Sequence, residues 1–183
     1  AELLTAACRR KRIRLELDLD PDMPPVPFDA SAIHQALVNL ASNAVEAAPD
    51  RTGVVTMRTR FVPGAAAKPD DPAAGADADP RAATGPRCEI TVEDDGPGVP
   101  PEQLAHLFVP FASTKGQRGT GLGLAVTRKL ALQHGGAVVH EAPPEGGTRM
   151  TLILPAHSTD LDSERTHAPR PLPDGDVGIR FEE

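Results

Sequence analysis

Two asparagines, Asn39 and Asn43, stand four residues apart in an apolar helical stretch, and three glycine-rich segments follow at residues 95–99, 119–124 and 146–148. Residues at that spacing share one helix face, so both carboxamides point the same way. The later segments read Asp-Gly-Pro-Gly-Val, Gly-Thr-Gly-Leu-Gly-Leu and Gly-Gly-Thr. Glycine lets the main chain approach another group with no Cβ between them. Any one of these segments is weak evidence; an ordered set of them within residues 39–148 is hard to obtain by chance.

The patterning around them predicts alternating strands and helices. Ile13, Leu15, Leu17 and Leu19 alternate with Arg14, Glu16, Asp18 and Asp20, the period of a strand with one buried face, and prolines at 21, 24, 25 and 27 stop it. Asp29 or Ser31 can cap a helix that carries Ile33, Leu37, Leu40, Ala41, Ala44, Val45 and Ala48 and ends before Pro49. Residues 54–62 and 88–93 read as strands. Residues 121–134 read as a second helix ended by Gly135-Gly136, and 137–141 with 148–154 as a closing hairpin.

Length and composition bound the rest. A chain of 183 residues suits one α/β core plus loose sequence, because a domain takes roughly 100 to 200 residues. With 20 Pro, 16 Gly and no Trp or Tyr, the apolar content rests on Ala, Leu and Val. Residues 63–86 hold almost no large apolar side chain, cannot offset their ordering entropy by burial, and are expected to form a disordered insertion. After residue 155 the chain turns polar and proline-rich, so 156–183 is expected to be a disordered tail. The net charge of -7 speaks against a nucleic-acid surface, and the basic run Arg9-Arg10-Lys11-Arg12 reads as a solvated helix end or linker. Cys8 and Cys88 have no partner at ligand spacing and read as free cytoplasmic thiols. No apolar run approaches the roughly 20 residues that span a bilayer; the first residue is not Met, which leaves room for a membrane anchor in a longer parent.

The residue types suit a nucleotide. A carboxamide oxygen can ligand Mg²⁺ without adding charge beside a triphosphate; the plainer alternative is two buried asparagines that bond neighbouring loops. A carboxylate at Asp95 can accept from the exocyclic amine of adenine, which guanine lacks at that ring position, whereas the plainer reading of Pro97-Gly98 is a type II turn. Glu93 and Asp94 read as surface charges. Residues 119–124 open the second helix, whose free amides suit an anion. They are not a dinucleotide fingerprint, since they follow a loop and no acidic residue stands about 20 positions on. Nor do they end in the Gly-Lys-Ser/Thr of a P-loop.

Together these motifs resemble the ATP-binding domain of sensor histidine kinases, in the superfamily of type II topoisomerases, Hsp90 chaperones and mismatch-repair ATPases. The resemblance covers residues 12–155, and the run Asn43-Ala44-Val45-Glu46-Ala47 is similar to the nitrogen-regulation type. It implies a Bergerat-type ATP-binding fold, an α/β (α+β) two-layer sandwich with a mixed, mostly antiparallel sheet and helices on one face. By the same resemblance, Asn43 holds Mg²⁺, Asp95 reads adenine with support from Thr148, and Glu46 is polar support for the Mg²⁺ shell. Residues 107–115 resemble the phenylalanine-containing motif and 115–118 the mobile ATP lid. Gly96, Gly98, Val99, Phe111, Ser113, Thr114, Gly119, Thr120, Gly121, Leu122, Gly123 and Leu124 then surround the cofactor. Lys115 joins Asn39 and Asn43 as a catalytic candidate, although exposed loop cations such as Lys115 and Arg118 are more often merely solvated.

Position 39 bears on the reaction. The resemblance implies that water-activating ATPases and anti-sigma-factor kinases carry Glu there; Asn39 cannot take a proton at neutral pH. The expectation is therefore a kinase domain that presents the γ-phosphate of Mg-ATP to a histidine on a dimerisation domain, for relay to a response regulator, in a homodimeric parent. His140-Glu141-Ala142-Pro143 imitates an acceptor motif, but it falls in an expected strand before two prolines. His34 reads as surface and His134 as a helix-end residue. Residues 1–11 are expected to end a preceding dimerisation helix. The alternatives are a stand-alone ATPase or serine kinase of the same fold, and a degenerate ATP-binding interaction module.

Overall fold

The structure is a computed structural model that describes residues 2–64, 85–112 and 121–156. Helix α1 (Glu2–Lys11) leads into strand β1 (Arg14–Asp18), long helix α2 (Ala30–Ala47), strands β2 (Val54–Val62) and β3 (Arg87–Asp94), and one-turn helix α3 (Pro101–Leu104). Helix α4 (Gly123–Gln133) and strands β4 (Ala137–Glu141) and β5 (Thr148–Pro155) complete it. The sheet runs β1-β2-β3-β5-β4; β1 is parallel to β2 and the other neighbours are antiparallel. This is the mixed, mostly antiparallel two-layer sandwich that the sequence implies.

Strand period two sorts the sheet's faces. Val55, Val92, Met150, Leu152 and Leu154 point into the layer shared with the helices, where α2 contributes Ala36, Leu40, Ala44 and Val45 and α4 contributes Ala131. Outward residues of the same strands include Arg58, Glu93 and Arg149; the Glu93 carboxylate accepts from Arg58 at 2.9 Å and Arg149 at 2.8 Å. Those bonds, from Arg149 foremost, hold its carboxyl below the usual range. Thr91 and Thr151 bond each other through their hydroxyls on this face.

Local chemistry sets the ends. Asp29 caps α2 by accepting from the amides of Ser31 and Ala32, which settles the choice between Asp29 and Ser31. Helix α4 starts at Gly123 rather than 121, because Gly121 has φ +63°, outside helical space. Gly135, at φ +68°, ends it as expected. Strand β1 is shorter than residues 13–19, and Leu17 is 58% and Leu19 54% exposed. No described element covers that end of the edge strand, so the alternation there does not translate into burial. Most of the 63–86 insertion and of the 156–183 tail lies outside the described residues.

Candidate functional site

The glycine turns and the asparagine helix meet at one end of the sheet. Gly96 tucks beneath the C-terminus of α2, where a Cβ would lie 2.7 Å from the Ala47 carbonyl oxygen. Gly98, at φ +78°, faces the Gly147 carbonyl, where a Cβ would lie 3.0 Å away, and a Cβ on Gly147 would collide with the carbonyl of Asp94. Thr148 pairs with Asp94 across β3 and β5. Three segments distant in sequence thus form one wall of bare backbone.

The acidic group in that wall is Asp94, not Asp95. Cys88, Ile90 and Val92 point inward along β3, and period two turns Asp94 the same way, leaving it 5% exposed. Its carboxylate accepts from the Gly96 amide at 3.0 Å and from the backbone of Thr148. Burial pushes its carboxyl up to about 6; the charges of Asp95 and Glu93 push the same way, and the two amides oppose them. Asp95 is exposed and spends its Oδ1 on the Val54 amide at 2.9 Å. The expectation of Asp94 as a surface charge is therefore overturned. Both signals were in the sequence: the alternation of residues 88–92, and the Asp-x-Gly-x-Gly spacing, which counts from 94 to 96 and 98.

Along α2, Asn43 is half-buried and has no hydrogen bond among the described residues, while Glu46 lies exposed one turn on. Asn39 is engaged. Its Nδ2 donates to the Gly123 carbonyl at 3.1 Å and approaches the Thr127 hydroxyl at 3.4 Å, and its Oδ1 accepts from Gln35 at 3.0 Å. Thr127 donates to the same carbonyl. Asn39 thus fastens α2 to the first turn of α4 and engages both polar atoms of its carboxamide with other residues of the chain. That first turn has Leu122 at its N-cap with no side-chain cap, so among the described residues its cap position leaves the leading amides open.

Phe111, 77% exposed with φ +65°, donates its amide to the Gly121 carbonyl at 3.0 Å and joins the two ends of the segment between them. Val99 follows the Gly98 turn and Leu124 contacts the core from α4. Ser113, Thr114, Lys115, Arg118, Gly119 and Thr120 lie outside the described residues. His140 sits in β4 with its Nε2 buried and without a partner among the described residues, and burial lowers its pKa. A strand is no place for a helical-hairpin acceptor. His134 Nδ1 lies 2.8 Å from the Leu130 carbonyl and its ring stands edge-on to Phe28, a helix-end role as expected.

Among the described residues no cluster of three His, Cys, Asp or Glu could hold a metal ion, and no helix is long and apolar enough to cross a membrane. A Mg²⁺ ion that arrives with a triphosphate needs no such cluster, since it takes one or two protein oxygens and fills its shell from phosphates and water. The uncommitted carboxamide of Asn43 fits that demand.

Residues 28–158 match the family described as histidine kinase-, DNA gyrase B-, and HSP90-like ATPase. The sensory histidine kinase/phosphatase NtrB of Vibrio alginolyticus is 37% identical over 151 residues, which cover 80% of this chain and 38% of that protein. NtrB of Rhizobium meliloti is 36% identical over 157 residues, 85% of this chain and 38% of that protein. The chain thus spans well under half of these relatives' length. Among solved structures, the mycobacterial sensor histidine kinase MprB superposes with TM-score 0.62 at 28% identity, covering 85% of this chain and 92% of that one. The catalytic domain of histidine kinase ThkA does so with TM-score 0.66 at 26% identity, covering 85% and 86%.

Proposed function

Since this chain belongs to the family of histidine kinase-, DNA gyrase B- and HSP90-like ATPases, and is a catalytic domain of the histidine-kinase kind, we propose that it presents the γ-phosphate of Mg-ATP to a histidine on a dimerisation domain, from which a response-regulator aspartate takes it. The observation that carries this reading is Asp94, a buried carboxylate walled by Gly96, Gly98 and Gly147.

Each part has a physical task. An ionised Asp94 accepts from the adenine amine, and the Thr148 amide holds the carboxylate in place. Asn43 Oδ1 would hold the Mg²⁺ that accompanies the nucleotide, and the ion would supply neutralisation of the phosphate charge. The amides that open α4 meet phosphate oxygens. Asn39 is a positioning residue that sets those amides against α2, and Lys115 is assigned to the phosphates. Phosphoryl transfer asks mainly for such positioning and charge neutralisation, so the domain needs no nucleophile of its own. An ATPase reading is disfavoured by Asn39, which can take no proton and donates to Gly123.

The test incubates the chain with Mg²⁺ and γ-labelled ATP and follows binding, free phosphate and protein-bound label, with Asp94→Asn as the control. Binding that the control loses, with negligible phosphate release and no labelled chain, supports the proposal; label should pass to a supplied dimerisation domain. Sustained phosphate release would establish an ATPase instead, acid-stable label a serine kinase, and absence of binding a degenerate interaction module.

A further inference from the structure

Lys11 ends α1 in the basic run that reads from sequence as solvated, yet its side chain is only 23% exposed. Its Nζ donates to the carbonyls of Val45 at 2.9 Å, Glu46 at 3.1 Å and Ala48 at 2.8 Å, taking up three acceptors at the C-terminus of α2. These carbonyls have no partner within the helix and carry the negative end of its dipole, so an ammonium there is doubly favoured. Asp50 lies 3.2 Å away but is largely exposed and adds little.

The same turn is held from both sides. The Lys11 carbonyl accepts from the Arg51 amide at 3.0 Å, and the Gly53 carbonyl accepts from the Arg14 amide at 2.9 Å, so the α1–β1 junction grips residues 51–53. On the far side, the Val54 amide donates to Asp95, and the Ala47 carbonyl rests on Gly96. Asp94 and Gly96 are thus separated from Lys11 only by the last turn of α2 and the loop that follows it. Any displacement of α1 must move that loop or break these bonds.

Building on the ATP-binding reading above, we propose that Lys11 is a positioning residue for the adenine end of the site, and that it couples the placement of helix α1 to ATP affinity. The ammonium touches no nucleotide; it fixes the Glu46 and Ala48 carbonyls on either side of Ala47, whose own carbonyl seats Gly96, and the Gly96 amide in turn fixes the Asp94 carboxylate.

The experiment uses the full chain. ATP affinity is measured by calorimetry on the wild type and Lys11→Met, with the fold of each checked by circular dichroism at the titration temperature. Lys11→Met should bind ATP about fivefold more weakly or worse, the low end of typical site-to-site coupling. A folded Lys11→Met with unchanged affinity, whatever its melting temperature, overturns the proposal. Should the variant fail to fold, amide exchange on the wild type decides. Coupling is reciprocal, so saturating Mg-ATP must slow exchange of the Arg51 amide, which bonds the Lys11 carbonyl and is not among the groups assigned to the nucleotide. No change there would also overturn it. Failure of the wild type to bind ATP overturns both readings, whereas wild-type binding with no response at Lys11 or Arg51 sinks this one alone.

Discussion

At the scale of single residues, Asp94 faces opposed demands. Burial favours its neutral form, and recognition of an amine favours the charged one. With its carboxyl raised from 3.8 to about 6, the folded chain keeps a proton there that the unfolded chain has released. The stabilisation by the protonated form is therefore complete below pH 3.8 and is lost as pH rises through 6. Asp94→Asn keeps an oxygen for the Gly96 and Thr148 amides and removes the buried charge. Urea unfolding at pH 7.5 should find it more stable than wild type by about 1 to 3 kcal/mol, with the gain gone at pH 4. The same variant should bind ATP at least tenfold more weakly, about 1.4 kcal/mol. Asp95→Asn is the counterpart on the exposed neighbour, and its ATP affinity should stay within about twofold of wild type. A loss from Asp95→Asn alone would return the role to Asp95.

At the scale of elements, α2 is the member to which the others are fastened: Asp29 begins it, Lys11 ends it, and Asn39 ties it to α4. Asp29→Ala leaves the Ser31 and Ala32 amides unmet and should lower unfolding stability by about 1 kcal/mol without altering ATP affinity. Asn39→Asp is expected to act differently, because a carboxylate cannot donate to the Gly123 carbonyl and places negative charge against it. It should cost about 1 to 3 kcal/mol in urea unfolding and weaken nucleotide binding as well, because the first turn of α4 loses its anchor; normal affinity would show that the tie is structural only. Strand β3 was legible because the alternation through Cys88 and Val92 agrees with their burial. Leu17 and Leu19 alternate equally well at the end of an edge strand that no described element covers, so the pattern overstated their burial. Asp94 was legible but hidden beside a second aspartate. Lys11 was not, since its partners lie 34 to 37 residues away and no periodic pattern reports such contacts.

For the molecule as a whole, ligand chemistry and stability are linked through the same carboxylate. A ligand that binds only the folded chain stabilises it by about 2.7 kcal/mol at a hundredfold excess over its Kd. Mg-ATP at that level should raise the melting temperature by roughly 5 to 10 °C. Mg-GTP offers Asp94 a carbonyl oxygen where ATP offers an amine, so at pH 7.5 two acceptors would face each other in a buried site with no proton between them. A site built to bond one hydrogen-bonding group rejects the analogue that leaves its polar atoms unpaired, and the thermal shift with GTP should be near zero. Below pH 6 the carboxyl takes up its proton and can donate. The ATP shift should then shrink while GTP gains, narrowing the gap between the two nucleotides at pH 5.5. Discrimination that stays constant from pH 5.5 to 8 would mean that a group other than Asp94 reads the base.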